Sequence, residues 1–227
     1  MITLRLAYLK HEVNTMKYLY CIISLAALTG CLAAQASAQS GAAREVFGEN
    51  KEFRTATARA EKSIERYAEQ LDKTDKALNK LSRSDSKLQE RYKAFSGGLK
   101  DLEKAQVKAA DDIQKMMAAA TDYFAEWDKA NMLISDPDLR TDSFRRRSQM
   151  FGMYERFASV ISGSANDLGP MMTSLRDLNT FFGANITQET VESASKQIQA
   201  CRDQAQELRD RIDDVRQKLG QLLDEAK

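Results

Sequence analysis

The sequence predicts an all-α protein: an elongated antiparallel helical bundle, or coiled coil, of three long helices, the first about 80 residues long. Three observations predict it. Two prolines and ten glycines in 227 residues, few aromatics and an excess of Ala, Leu, Lys, Glu, Asp, Gln and Arg make a composition that favours long helices. Apolar residues recur at alternating steps of three and four over most of the chain, the signature of a helical seam. Strong turn signals are few and far apart.

The first element carries the longest seam. Ile64, Tyr67, Leu71, Thr74, Leu78, Leu81, Asp85, Leu88, Tyr92, Phe95, Leu99, Leu102, Gln106, Ala109, Ile113, Met116, Ala120, Tyr123 and Trp127 keep the heptad step throughout. A helix from about Lys51 to Leu133 would be roughly 120 Å long at 1.5 Å per residue. Gly97-Gly98 is its weak point, because two interior glycines cost about 2 kcal/mol relative to alanine. The seam nevertheless passes from Phe95 to Leu99 without a slip, so the expectation is a continuous helix able to hinge at this pair.

Asp136-Pro137 reads as the turn that ends this rod, with Thr141 or Asp142 as cap of the next helix. The second helix buries Phe151, Tyr154, Ala158, Ile161, Ala165, Leu168, Met172, Leu175 and Phe182, with a bend at Gly163, Gly169 and Pro170. Gly183-Ala184-Asn185 stops it, and Thr187 caps the third helix with Glu189 near the positive helix end. Val191, Ala194, Ile198, Cys201, Ala205, Leu208, Ile212, Val215, Leu219, Leu222 and Ala226 form the last seam. Cys201 falls on it as a packed small residue, and alone in the body it has no disulfide partner. The third helix is expected to fold back on the first, leaving the N-terminal half of the first partly projecting. A projecting seam needs a partner, and self-association or a protein partner would supply one.

Upstream of the helices the chain has the form of an export signal. Residues 1–30 read as the signal peptide, with the true start at Met16: Lys17 gives the positive n-region and Tyr18 to Leu28 an apolar run too short to span a bilayer. Residues 31–48 read as a flexible tether and 49–227 as the helical domain. Two cleavage instructions overlap. Leu28-Thr29-Gly30-Cys31 resembles a bacterial lipobox, which would leave diacylglycerol on the Cys31 thiol. Ala36-Ser37-Ala38 is an A-x-A site for ordinary signal peptidase, which would release a soluble chain from Gln39. The lipobox is the preferred reading. Leu32, rather than Asp, after the cysteine is consistent with sorting to the outer membrane, facing the periplasm.

The inventory of chemistry is short. The only histidine, His11, precedes the lipobox, so the processed chain has no imidazole for acid-base work or metal binding. No zinc pattern, P-loop, nucleophile elbow or dinucleotide fingerprint occurs. Asp111 with Asp112, and Asp213 with Asp214, are helix neighbours about 100° apart and read as solvated faces. Without its first 30 residues the chain holds 31 basic and 32 acidic side chains, a balance that suits a solvated helix surface and not a nucleic-acid stripe. No cofactor, metal or enzymatic activity is expected. Two features could hold a partner: Trp127, the single tryptophan, which otherwise plugs the bundle end, and the arginines Arg140, Arg145, Arg146 and Arg147, which either pair with Glu126, Asp128, Asp136 and Asp138 or present a site for a phosphate or an anionic lipid headgroup.

The order FAEW, then LRTDSFRRRSQMFGMYERF, then LGPMMTSLRDLNTFFGANI resembles the bacterial family called domain of unknown function 2959. The resemblance runs from about residue 99 to about residue 220. It implies helices and an envelope location and carries no activity. Together these readings describe a non-enzymatic envelope lipoprotein that acts as a helical spacer, scaffold or tether, or else a soluble periplasmic coiled-coil binding module or chaperone-like protein released after Ala38.

Overall fold

The computed structural model describes residues 39–82 and 87–225, all of one helical unit; the signal, Cys31, Ala36, Ala38, Asp85 and Ala226 lie outside the described residues. Among the described residues five helices follow one another: α1 (Gln39–Leu81), α2 (Leu88–Leu133), α3 (Pro137–Ala184), α4 (Gln188–Ser193) and α5 (Ser195–Glu225). The described part of the chain is therefore all-helical with long helices, but the first rod is not continuous. It breaks between Leu81 and Leu88, and its halves fold back on each other. Phe53 stacks on Tyr123, and Thr74 lies against Gly98, so α1 and α2 run antiparallel along their length. Four long helices and one short one replace the expected three.

The chemistry of residues 82–86, Ser-Arg-Ser-Asp-Ser, accounts for the break. Ser and Asp compete for backbone hydrogen bonds and favour turns over helix interiors. Gly97-Gly98, in contrast, lies inside continuous α2. Gly98 has a packing role: an added Cβ would lie 3.2 Å from the Thr74 hydroxyl oxygen, whereas at Gly97 it would meet nothing within 4 Å. The hydroxyl of buried Thr74 donates to the Gln70 carbonyl at 2.7 Å, so this polar seam residue is satisfied within its own helix.

The seam expected to project is closed within the chain. Phe53, Ala60, Ile64, Tyr67, Leu71, Leu78 and Leu81 of α1 are all buried, and α1 packs against both α2 and α5. With no projecting half, the reason given for self-association through this seam is gone. Helix α5 buries its seam as read, from Ile198 through Leu222. It runs antiparallel to α1, since Arg202 meets Asp75, Arg209 meets Asp72 and Asp75, and Arg216 meets Glu65. α3 packs on α5 and α2, which completes an up-down-up-down order.

One cap and one face differ from the sequence reading. Helix α3 starts at Pro137 with Asp136 as N-cap, whose carboxylate accepts from the Asp138 and Leu139 amides at 2.9 Å. Neither Thr141 nor Asp142 is the cap; the Thr141 hydroxyl donates back to the Pro137 carbonyl. Pro at N1 with Asp before it satisfies the free amides at once, which places the start a turn earlier. Helix α3 runs unbroken through Pro170, and its core face is Met150, Phe157, Met171, Met172, Leu175, Leu178 and Phe182; Phe151, Tyr154, Ile161 and Leu168 flank it half-buried. The break after Ala184 stands where expected, with Thr187 capping α4 and sharing a capping box with Thr190. Gly183 is a close-approach position, because a Cβ there would fall 2.7 Å from the Tyr92 hydroxyl. That hydroxyl donates to the Asn179 carbonyl across the α2–α3 contact.

Candidate functional site

The sequence-predicted residues converge where α2 turns into α3, and local chemistry explains why. Phe124 and Trp127 are three apart on α2 and so share its inner face. Facing them are Phe53 of α1 and Phe151 and Tyr154 of α3. Phe124 meets Phe151 edge-on at 5.1 Å and Tyr154 at 5.8 Å, while Tyr123 stacks on Phe53 at 5.2 Å and tilts against Trp127 at 5.4 Å. Six rings from three helices form one cluster. Trp127 is half-buried in it, and its indole N–H donates to the Ser143 hydroxyl at 3.0 Å. Ser143 donates in turn to the Oδ1 of Asn131, a fully buried side chain whose Nδ2 has no partner.

Each arginine has an internal partner. Arg147 lies with its guanidinium 5.2 Å from the Phe124 ring centre and 4.8 Å from that of Phe151, and donates to Asp128 at 2.7 Å. This cation on two aromatic faces is packing as much as charge. Arg145 and Arg146 both bind Asp142. The hydrogen bond from Arg145, with the charges of both arginines, holds the Asp142 carboxyl below its ordinary value. Arg140 donates from Nε to the Ile134 carbonyl at 2.7 Å and ties the turn. Arg145 and Arg146 keep most of their side-chain surface in water.

Other polar groups lie elsewhere. Asp112, read as solvated, is buried: its carboxylate takes a 2.6 Å bond from Lys108, one turn earlier. Neighbouring Asp111 faces water and pairs with Lys115. Cys201 is buried, and burial pushes its thiol from an ordinary 9.0 to about 11. A thiol that holds its proton so firmly is a poor nucleophile.

One surface feature went unread in the sequence. A shallow open groove of about 820 Å³ between α1 and the end of α5 is lined by Lys51, Arg54, Arg59 and Lys62 with Leu223, and by no carboxylate. The i, i+3, i+8 and i+11 spacing of these cations was the available signal. Among the described residues no set of His, Cys, Asp or Glu side chains is grouped to hold a metal ion, and no described helix is long and apolar enough to cross a membrane.

A family model described as protein of unknown function, DUF2959, matches residues 42–200. The chain belongs to the DUF2959 family. The match covers nearly all of α1 as well as α2 to α4, a wider span at the N-terminal side than the motifs after Leu99 suggest. It ends in the first turns of α5. DUF2959 therefore includes the ring cluster and the α2–α3 turn, while most of the α5 seam lies beyond it. No curated protein and no solved structure matches the chain.

Proposed function

We propose that this DUF2959 protein is a non-enzymatic lipoprotein of the cell envelope, in which a packed helical bundle is held at a membrane through lipid on Cys31 and serves as a spacer or scaffold. The observation that carries this reading is Leu28-Thr29-Gly30-Cys31, placed directly after an apolar run of signal length. Two further features support it. The only histidine precedes Cys31, and the buried Cys201 thiol is held protonated, so the processed chain offers no imidazole base and no reactive thiol in its helical part. With the heptad seam consumed inside the bundle, partner contacts belong to its outer surface.

A second reading rests on Ala36-Ser37-Ala38: release as a soluble periplasmic binding module or chaperone-like protein. The intact mass of the mature protein separates the two. A start at Cys31 carrying diacylglycerol, lost in Cys31→Ser, is the expected result. An unmodified start at Gln39 would establish the soluble form. Crosslinking in intact envelopes, followed by identification of captured proteins, tests the scaffold role; a protein that captures no envelope component reproducibly is not one.

A further inference from the structure

The Phe53–Tyr123 stack fixes the level of α1 against α2. From Phe53 back to Gln39 is about 21 Å of helix, and from Tyr123 on to Leu133 about 15 Å in the same direction. The chain therefore enters the helical unit at the end where α2 turns into α3. That end is unusual in its surface. Met132 is 76% exposed, Leu133 52%, Leu139 65% and Phe144 43%. These are four of the six large apolar side chains exposed among the described residues, all at the end of α2 or in the first turns of α3, while the seams of the same helices are buried. Scattered apolar residues need no explanation, but a cluster does.

The charges around the cluster balance. Arg145 and Arg146 share Asp142, the Asp136 carboxylate serves the start of α3, and with Arg140 and Asp138 the segment carries three charges of each sign. The turn thus presents an apolar tip inside a polar ring of no net sign.

We infer that the α2–α3 turn is a second membrane contact, in which Met132, Leu133, Leu139 and Phe144 enter the interfacial layer of the bilayer that holds the Cys31 lipid. This rests on the lipoprotein reading above. The eight residue steps from Cys31 to Gln39 span at most about 29 Å fully extended, so lipid on Cys31 keeps the start of α1 within that distance of the bilayer, with the end of α2 about 6 Å further along the bundle. An apolar tip confined there finds its partner in the interface. The balanced ring makes the contact independent of anionic lipid and of salt.

The test uses the full mature lipoprotein in phosphatidylcholine vesicles, with Leu139→Cys carrying a polarity-sensitive fluorophore. Cys31 is blocked by its lipid and Cys201 is buried, so the new thiol is the one that labels. Lys80→Cys, at the opposite end of α1, is the comparison. The expected result is a blue-shifted Leu139 probe quenched by spin-labelled lipid at least severalfold more than the Lys80 probe, unchanged in high salt. Vesicles that float with the protein while both probes stay in water overturn the contact and leave the anchor standing. A protein that does not float overturns both. A Leu139 shift that rises with protein density without lipid quenching assigns the tip to a protein contact and also overturns the inference.

Discussion

Tyr67 shows how single groups set the stability of this bundle. Its ring belongs to the α1 seam and is 6% exposed, and its hydroxyl is buried with no hydrogen-bond partner. An unsatisfied buried hydroxyl costs about 1–3 kcal/mol, and burial alone pushes the phenol far above its ordinary 10.0. Tyr67→Phe should therefore raise the thermal midpoint at neutral pH, because it keeps the ring and removes the stranded oxygen. Its advantage should also grow with alkali. Above about pH 10 the unfolded phenol loses its proton while the folded one keeps it. The unfolded state then binds fewer protons, and the stability of the natural chain falls as pH rises. Thermal melts of both proteins from pH 7 to 11 check this, and a gap that narrows with pH would contradict it.

The glycines in α2 carry the argument to the element. Gly97 has open space where a Cβ would go, and Gly98 has the Thr74 hydroxyl at 3.2 Å. Gly97→Ala should stabilise by about 0.5–1 kcal/mol through helix propensity alone. Gly98→Ala should lose that gain or reverse it, since α1 must move away at Thr74. Chemical denaturation of the two variants decides; equal gains would mean that α1 and α2 do not approach closely here. This pair also shows what the sequence could tell. The Leu81–Leu88 spacing is one whole heptad, so a connector of that length leaves the three-four step intact and a hairpin reads like a rod. Periodicity reports which residues are buried, and for α1 and α5 it does so correctly, but it does not report whether the helix between them continues. The Ser-Arg-Ser-Asp-Ser run held the missing signal. The ring cluster was half legible: Trp127 and Phe124 share a face by spacing, but Phe53 and Asn131 reach it only through the fold, and the Arg147 position between two rings follows from α3 crossing α2.

At the scale of the helical unit, α5 is the element that closes the fold. Its seam contributes Leu208, Ile212, Val215, Leu219 and Leu222, all buried, and its arginines reach α1 at Asp72, Asp75 and Glu65. Arg209 binds two aspartates at once; burial pulls its pKa down, but Asp75 and Asp72 outweigh that and raise it. The DUF2959 match stops at residue 200, ahead of all five of these apolar side chains. Each is worth about 1.5–3 kcal/mol when buried, so together they rival the whole stability of a domain, about 5–15 kcal/mol. A chain ending at Ala200 would bare the faces of α1 and α3 that pack on α5. It should lose cooperative unfolding or associate through the bared seam, although it retains every residue of the family match. Circular dichroism melts and size-exclusion chromatography of the shortened protein provide the check. A monomer that melts cooperatively near the full-length midpoint would show that α1 to α4 form the stable core, with α5 an addition to it.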